Sequence, residues 1–158
     1  MSRAAHQPML PEDDPGWSTY ADTIVHFSTT PPVMIDLAVP VGASARARLA
    51  AAGFEGSFGL VTPCNPRGRR VDEATNGNLL TRFLAELDAT GKRYVRVAGS
   101  SADGQHTEHG VALAWSQADL VALARKWEQS AIYWWDGAAF WVIGALTASA
   151  PWRLGRDT

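Results

Sequence analysis

The dipeptide Asp136-Gly137 near the end of the chain constrains the fold more than any other feature of the sequence. Two apolar segments, Ala131–Trp135 and Ala139–Leu146, flank it. Asp-Gly between two such segments is typical of the two-residue turn of a β-hairpin, because that turn needs residues that tolerate a positive φ. The pattern therefore predicts an antiparallel pair of strands in this part of the chain.

Short apolar segments separated by Pro and Gly predict further strands, and apolar residues at helical spacing predict helices. The predicted strands are Thr23–Ser28, Val33–Val39, Ser57–Thr62, Tyr94–Ala98 and His106–Trp115. The predicted helices are Ser44–Ala52, a helix through Leu80, Phe83, Leu84 and Leu87, and a helix that begins near Ser116. The order ββαβαββαββ indicates one α+β domain with a mixed or mostly antiparallel sheet, about three helices, and helices on one face.

The length of 158 residues fits a single domain. We expect a loose N-terminal arm over 1–16, the domain over 17–146 and a short tail over 147–158. The net charge of −2 argues against a dedicated nucleic-acid binder. A single cysteine excludes a disulfide within one chain, and no segment has the composition of a signal peptide or a membrane span. We therefore expect a soluble, cytoplasmic protein with no membrane association.

A polar loop follows the predicted strand that ends at Thr62. Asn65 supplies an amide donor and acceptor, and Arg67 with Arg70 supplies charge for a phosphate or carboxylate. The loop has an alternative interpretation as a solvated turn. The neighbouring Cys64 is either a thiol activated by the arginines or, more simply, a buried inert one.

Two further polar positions lie at element ends. His106 and Glu108 share one face of their predicted strand and suit acid–base chemistry or, with a third residue, a metal ion; the alternative is a polar strand start. Gln129 follows the third helix and precedes an apolar strand. It either satisfies the carbonyl groups of the helix end or points into a cleft.

Seven tryptophans are unusual for a chain of this length. Trp134 and Trp135 are adjacent, so on a strand their side chains point to opposite faces of the sheet. With helices on one face only, one of the two indoles remains free to bind a partner. The alternative is that Trp17, Trp152 or a terminal segment covers it.

Several of these positions occur together in an order that resembles a known family. They are Val61-Thr62-x-Cys64-Asn65-Pro66, Asn76 with Arg82, His106-x-Glu108, and Gln129-x-Ala131-Ile132. Asn78 is an alternative to Asn76 at the matching position of the pattern. The pattern resembles domain of unknown function 3293, an uncharacterised bacterial family. The resemblance implies a fold and a set of matched polar positions rather than a reaction.

Two functions follow as hypotheses. The first is a site for a small anionic ligand, a nucleotide or a phosphorylated metabolite, in a hydrolase, a transferase or a binding protein without a cofactor. Glu108 would be its acid–base group, and its ligand-binding residues would be Asn65, Arg67, Asn76, Arg82, His106 and Gln129. The second is a non-catalytic module that binds a protein partner or a second copy of itself through the tryptophan-rich hairpin. No metal site is expected.

Overall fold

The computed structural model describes residues 8–156 and contains eight β-strands and three α-helices in that range. The strands are β1 (Thr23–Phe27), β2 (Val33–Asp36), β3 (Phe58–Val61), β4 (Val95–Ser101), β5 (Thr107–Leu113), β6 (Ala131–Trp135), β7 (Phe140–Gly144) and β8 (Trp152–Arg153). The α-helices are α1 (Ala43–Ala51), α2 (Glu73–Thr90) and α3 (Gln117–Lys126). Short 3-10 helices cover Pro11–Asp13, Trp17–Asp22 and Pro66–Gly68.

All eight strands form one sheet, in the order β2-β1-β4-β5-β3-β6-β7-β8. Every neighbouring pair is antiparallel. The sheet is curled, because the segment after β8 packs against the segment after β2. Gly155 lies so close to the carbonyl group of Val39 that a Cβ atom there would overlap it. The α+β class and the antiparallel sheet are therefore confirmed.

Strand β3 shows how the sheet separates two hydrophobic clusters. Phe58 and Leu60 belong to one cluster, and Val61 points to the other. Helix α1 contributes Leu49 to the first cluster, whereas α2 and α3 cover the second with side chains that include Phe83. The expectation that all helices lie on one face is therefore wrong. Because the sheet curls, its concave face encloses a core of its own, and α1 closes that core.

Local signals account for most element ends. The side chain of Asp72 accepts a hydrogen bond from the backbone N–H of Thr75 at 2.7 Å, and Ser116 accepts one from Asp119 at 3.1 Å. Both are N-cap interactions that satisfy N–H groups left free at a helix start. Gly91 ends α2 with a φ of 70°. These contacts are local in sequence, which explains why the helix boundaries were predictable.

Two terminal segments differ from the expected order. The predicted order lacks β8, whose two residues are too few to show an alternating pattern. The N-terminal arm expected over 1–16 is packed where the structure describes it, and 1–7 lies outside the described residues. The backbone N–H of Met9 donates to Leu146 at 2.9 Å, and its side chain is buried. Composition does not reveal such a contact with a distant segment.

The adjacent tryptophans Trp134 and Trp135 lie against covered faces of the sheet. Trp135 is only 2% exposed and packs between Phe58 and Phe140, with ring-centroid distances of 6.4 and 4.9 Å. Trp134 is half-buried against the second cluster. Trp17 also packs on the first cluster, so an N-terminal segment does cover this face. Within residues 8–156, no helix has both the length and the apolar character to cross a bilayer.

Candidate functional site

Asn65 and Asn76 build the loop between β3 and α2 by pairing their amide groups. The backbone N–H of Asn65 donates to Asn76 Oδ1 at 2.9 Å, and Asn76 Nδ2 donates back to Asn65 Oδ1 at 3.1 Å. The same Oδ1 atom accepts the N–H of Val71 at 3.0 Å. Asn65 has a φ of 49°, a conformation that asparagine tolerates better than most residues. Its side chain thus determines the path of the loop.

Glu108 lies near the start of β5, beside the end of the neighbouring strand β3, and contacts this loop there. Asn65 Nδ2 donates to Glu108 Oε1 at 2.7 Å, which joins two residues that are 43 positions apart. Burial raises the pKa of the Glu108 carboxyl group above its usual range, and the nearby charge of Asp14 adds to the increase. The hydrogen bond from Asn65 and the positive charge of Arg70 oppose it. The carboxyl group therefore holds its proton more strongly than an exposed glutamate.

Gln129 and Arg67 fasten the loop to the junction between α3 and β6. Gln129 is 7% exposed, and its Nε2 donates to the carbonyl oxygens of Cys64 and Trp127 at 3.1 and 3.2 Å. Arg67 donates its backbone N–H to the carbonyl oxygen of Glu128 at 2.7 Å, and its Nε lies 3.3 Å from the carboxylate of Glu128. Gln129 therefore holds the loop at the helix end, and its amide nitrogen is occupied by backbone carbonyls.

Asp14 completes the site from the N-terminal segment, and sequence reasoning missed it. The carboxylate is 3% exposed, accepts the N–H of Gly16 at 2.8 Å and accepts the hydroxyl of Tyr20 at 2.5 Å. It lies directly against Gly68, where a Cβ atom would overlap it. Asp14 lies in a polar, proline-containing segment, where composition gives no sign that a carboxylate will be buried.

Two tyrosine hydroxyls border the same region and also escaped the sequence analysis. Tyr133 donates its hydroxyl hydrogen to the carbonyl oxygen of Tyr20 at 2.7 Å, and Thr23 Oγ1 lies 3.1 Å from the same hydroxyl oxygen. Burial raises the pKa of both tyrosines, and the charge of Asp14 raises them further. Both hydroxyls therefore remain protonated donors at neutral pH. The aromatic residues around position 20 were the only available signal that this segment packs on the sheet.

Two of the predicted ligand-binding residues lie apart from the Asn65–Glu108 contact. The guanidinium of Arg82 stacks over the ring of Trp127 at 5.7 Å from its centroid. His106 is exposed just before β5, and its backbone N–H donates to Ser101 Oγ at 3.1 Å. The structure thus brings together Asn65, Asn76 and Glu108, with Arg67 and Gln129 as anchors of the loop.

Cys64 is buried behind the same loop. Its Sγ lies 3.5 Å from the carbonyl oxygen of His109, and burial raises the pKa of the thiol. The thiol therefore remains protonated, which favours the interpretation of an inert side chain. In the part of the chain that the structure describes, no three His, Cys, Asp or Glu side chains are grouped closely enough to hold a metal ion.

The fold and the site define an α+β domain with one antiparallel sheet, in which an asparagine-built loop meets a partly buried glutamate at the ends of two neighbouring strands. Residues 61–132 match the family described as "Protein of unknown function (DUF3293)", which confirms the resemblance to domain of unknown function 3293. The matched segment contains Asn65, Asn76, Glu108 and Gln129 but not Asp14. Comparisons with the curated proteins and with the solved structures found no match.

Proposed function

We propose that the cluster of Asn65, Asn76 and Glu108 binds a small phosphorylated ligand, a nucleotide or a phosphorylated metabolite. The observation that carries the proposal is the hydrogen bond between Asn65 and a carboxyl group whose pKa is raised. A partly buried carboxyl group with a raised pKa beside an arginine is a common feature of ligand and catalytic sites. Arg67 keeps 42% of its side chain exposed, and Arg70 is exposed on the same loop. These arginines supply the charge that a phosphate group requires.

The two oxygens of Glu108 have different roles in this proposal. Oε1 accepts the hydrogen bond from Asn65, which leaves Oε2 to carry the proton in the protonated form of the carboxyl group. In a hydrolysis or group transfer, the oxygen of a water molecule or of an acceptor hydroxyl would form the new bond to phosphorus while the bond to the leaving-group oxygen breaks. The leaving-group oxygen would take the proton of Oε2, and the attacking oxygen would lose its own proton to solvent. The carboxylate that results is stabilised by the Asn65 hydrogen bond and by the charge of Arg70. General acid catalysis of this kind contributes a rate factor of roughly 10²–10⁴.

The first test is the binding of adenosine monophosphate, ribose 5-phosphate and inorganic phosphate, followed by amide NMR. We expect shifts at residues 62–72 and at Glu108. Replacing Arg70 by glutamine should raise the dissociation constant about tenfold, because a charge-assisted contact contributes about 1.5 kcal/mol. Binding to the wild-type protein should weaken as the pH rises through the pKa of Glu108, because the ionised carboxylate then repels the phosphate.

Two variants serve as references for this test. Arg48→Gln removes an exposed arginine on α1 and should leave the affinity unchanged. Glu108→Gln keeps the size of the side chain but removes its titration, so the weakening of binding through the pKa of Glu108 should disappear and only the effect of the ligand's own second ionisation, near a pKa of about 6, should remain. Equal affinities in Arg70→Gln and Arg48→Gln, or an unchanged pH profile in Glu108→Gln, would contradict the proposal.

A further inference from the structure

A cavity of about 80 Å³ lies where the curled sheet brings the segment after β2 against β7 and β8. Its inner wall is apolar: Leu37, Phe140 and Leu154 line it and are 1%, 2% and 4% exposed. Arg46 and Arg153 also line it. The cavity therefore combines an apolar interior with positive charge, and it uses none of the residues of the Glu108 site.

An open cleft of about 380 Å³ continues from this cavity toward solvent. Arg153 and Gly155 line both spaces, and Arg156 lines only the cleft. The positive charge around these two spaces has two sources. Within residues 8–156, none of these arginines forms an ion pair. Helix α1 begins just after the lining residue Val41, and its first turn carries no acidic residue, so its positive end adds to the potential.

Asp136 lies close enough to Arg153 for its carboxyl group to interact with the guanidinium charge. Its carboxylate already accepts the backbone N–H groups of Ala138 and Ala139 at 2.7 and 2.8 Å, and the indole N–H of Trp141 at 2.8 Å. Asp136 is thus held by the hairpin turn. Among residues 8–156, no carboxylate forms an ion pair with the guanidinium of Arg153, so its hydrogen-bond donors face no acidic partner in that range.

We propose that this cavity and cleft form a second binding site, for a small carboxylate that carries a short aliphatic group. The aliphatic group fits the inner cavity, because an apolar cavity of roughly 150 Å³ holds benzene and about half that volume suits three or four carbons. The carboxylate lies in the cleft, where Arg153 and Arg156 offer paired donors with the geometry that a carboxylate accepts, and Arg46 adds positive charge from the wall of the inner cavity. The site is independent of the function proposed for Glu108.

Butanoate is the probe for this site, and its titration is followed by amide NMR of the full-length protein. We expect shifts centred on residues 138–140 and 153–155, with a dissociation constant in the millimolar range, as ligand efficiency predicts for about six non-hydrogen atoms. Arg153→Gln should weaken binding about tenfold. Arg48→Gln is the matched control, because Arg48 is exposed on α1 but does not line the cavity, and it should bind like the wild type.

Two further probes separate the contributions of charge and apolar volume. Butan-1-ol carries a similar aliphatic group without the charge, and inorganic phosphate carries charge without the aliphatic group; both should bind at least tenfold more weakly than butanoate. Equal binding of either probe, or equal binding by Arg153→Gln and Arg48→Gln, would overturn the proposal. Arg46→Gln provides a second variant if Arg153→Gln alters the amide spectrum of the free protein.

Discussion

Replacing Gly68 by alanine should destabilise the protein more than any other single change that we consider at the site. The new Cβ atom would overlap the carboxylate of Asp14, and Gly68 has a φ of 74°, which L-residues with a side chain rarely adopt. Moving Asp14 aside disrupts its hydrogen bonds with Tyr20 and Gly16. The backbone strain costs about 1–2 kcal/mol, and each of the two lost charge-assisted hydrogen bonds costs about 1.5 kcal/mol. Together, these effects lower the free energy of unfolding by roughly 4–5 kcal/mol.

Gly77→Ala is the matched control, measured by the same chemical denaturation. Gly77 lies in α2 with no atom near the position of a Cβ, so alanine should stabilise the helix by about 1 kcal/mol. The two glycine substitutions should therefore have opposite signs. A Gly68→Ala variant as stable as the wild type would show that the N-terminal segment does not pack on the loop as described.

Replacing Asn65 by alanine should lower the free energy of unfolding by about 3–4 kcal/mol, counting roughly 1 kcal/mol for each hydrogen bond. The variant loses the side-chain contacts with Val71, Asn76 and Glu108. Alanine also tolerates the positive φ less well than asparagine. The melting temperature should fall by on the order of 10 °C, because 1 kcal/mol corresponds to about 2–4 °C in a domain of this size. Thermal unfolding followed by circular dichroism measures this shift.

Asn78 provides the control for this experiment. It is exposed on α2, two positions beyond Asn76, and Asn78→Ala should leave the melting temperature unchanged or slightly higher. Asn65→Gly separates the two causes, because glycine accepts the backbone conformation and should therefore lose less stability than alanine. If Asn65→Ala and Asn78→Ala melt together, the amide pairing does not hold the loop.

The parts of the fold that depend on neighbouring residues were predictable from the sequence. The Asp136-Gly137 turn and the N-cap residue Ser116 are such cases, because their physics is contained in a few consecutive positions. The curl of the sheet was not predictable. It depends on the contact between Gly155 and Val39, more than a hundred residues apart, and it placed α1 on the face that was expected to be open.

The candidate site likewise contains residues that the sequence indicated and contacts that it did not. The sequence indicated Asn65 and Glu108 as separate candidates, because amide and carboxyl groups at strand ends suit polar chemistry. Their contact joins segments that only the pairing of β3 with β5 brings together. Asp14 could not be predicted, since its burial depends on Tyr20 and on the absence of a side chain at Gly68.

The most direct measurement of the central claim is a pH titration of the Glu108 carboxyl carbon by NMR, with and without adenosine monophosphate. Comparison with the spectrum of Glu108→Gln assigns the signal. We expect a pKa above the ordinary glutamate value of about 4.3, because the carboxyl group is buried beside Asp14. The nucleotide should raise the pKa further, because the phosphate charge favours the protonated form. An ordinary pKa that the nucleotide does not move would contradict the assignment of Glu108 to a phosphate-binding site.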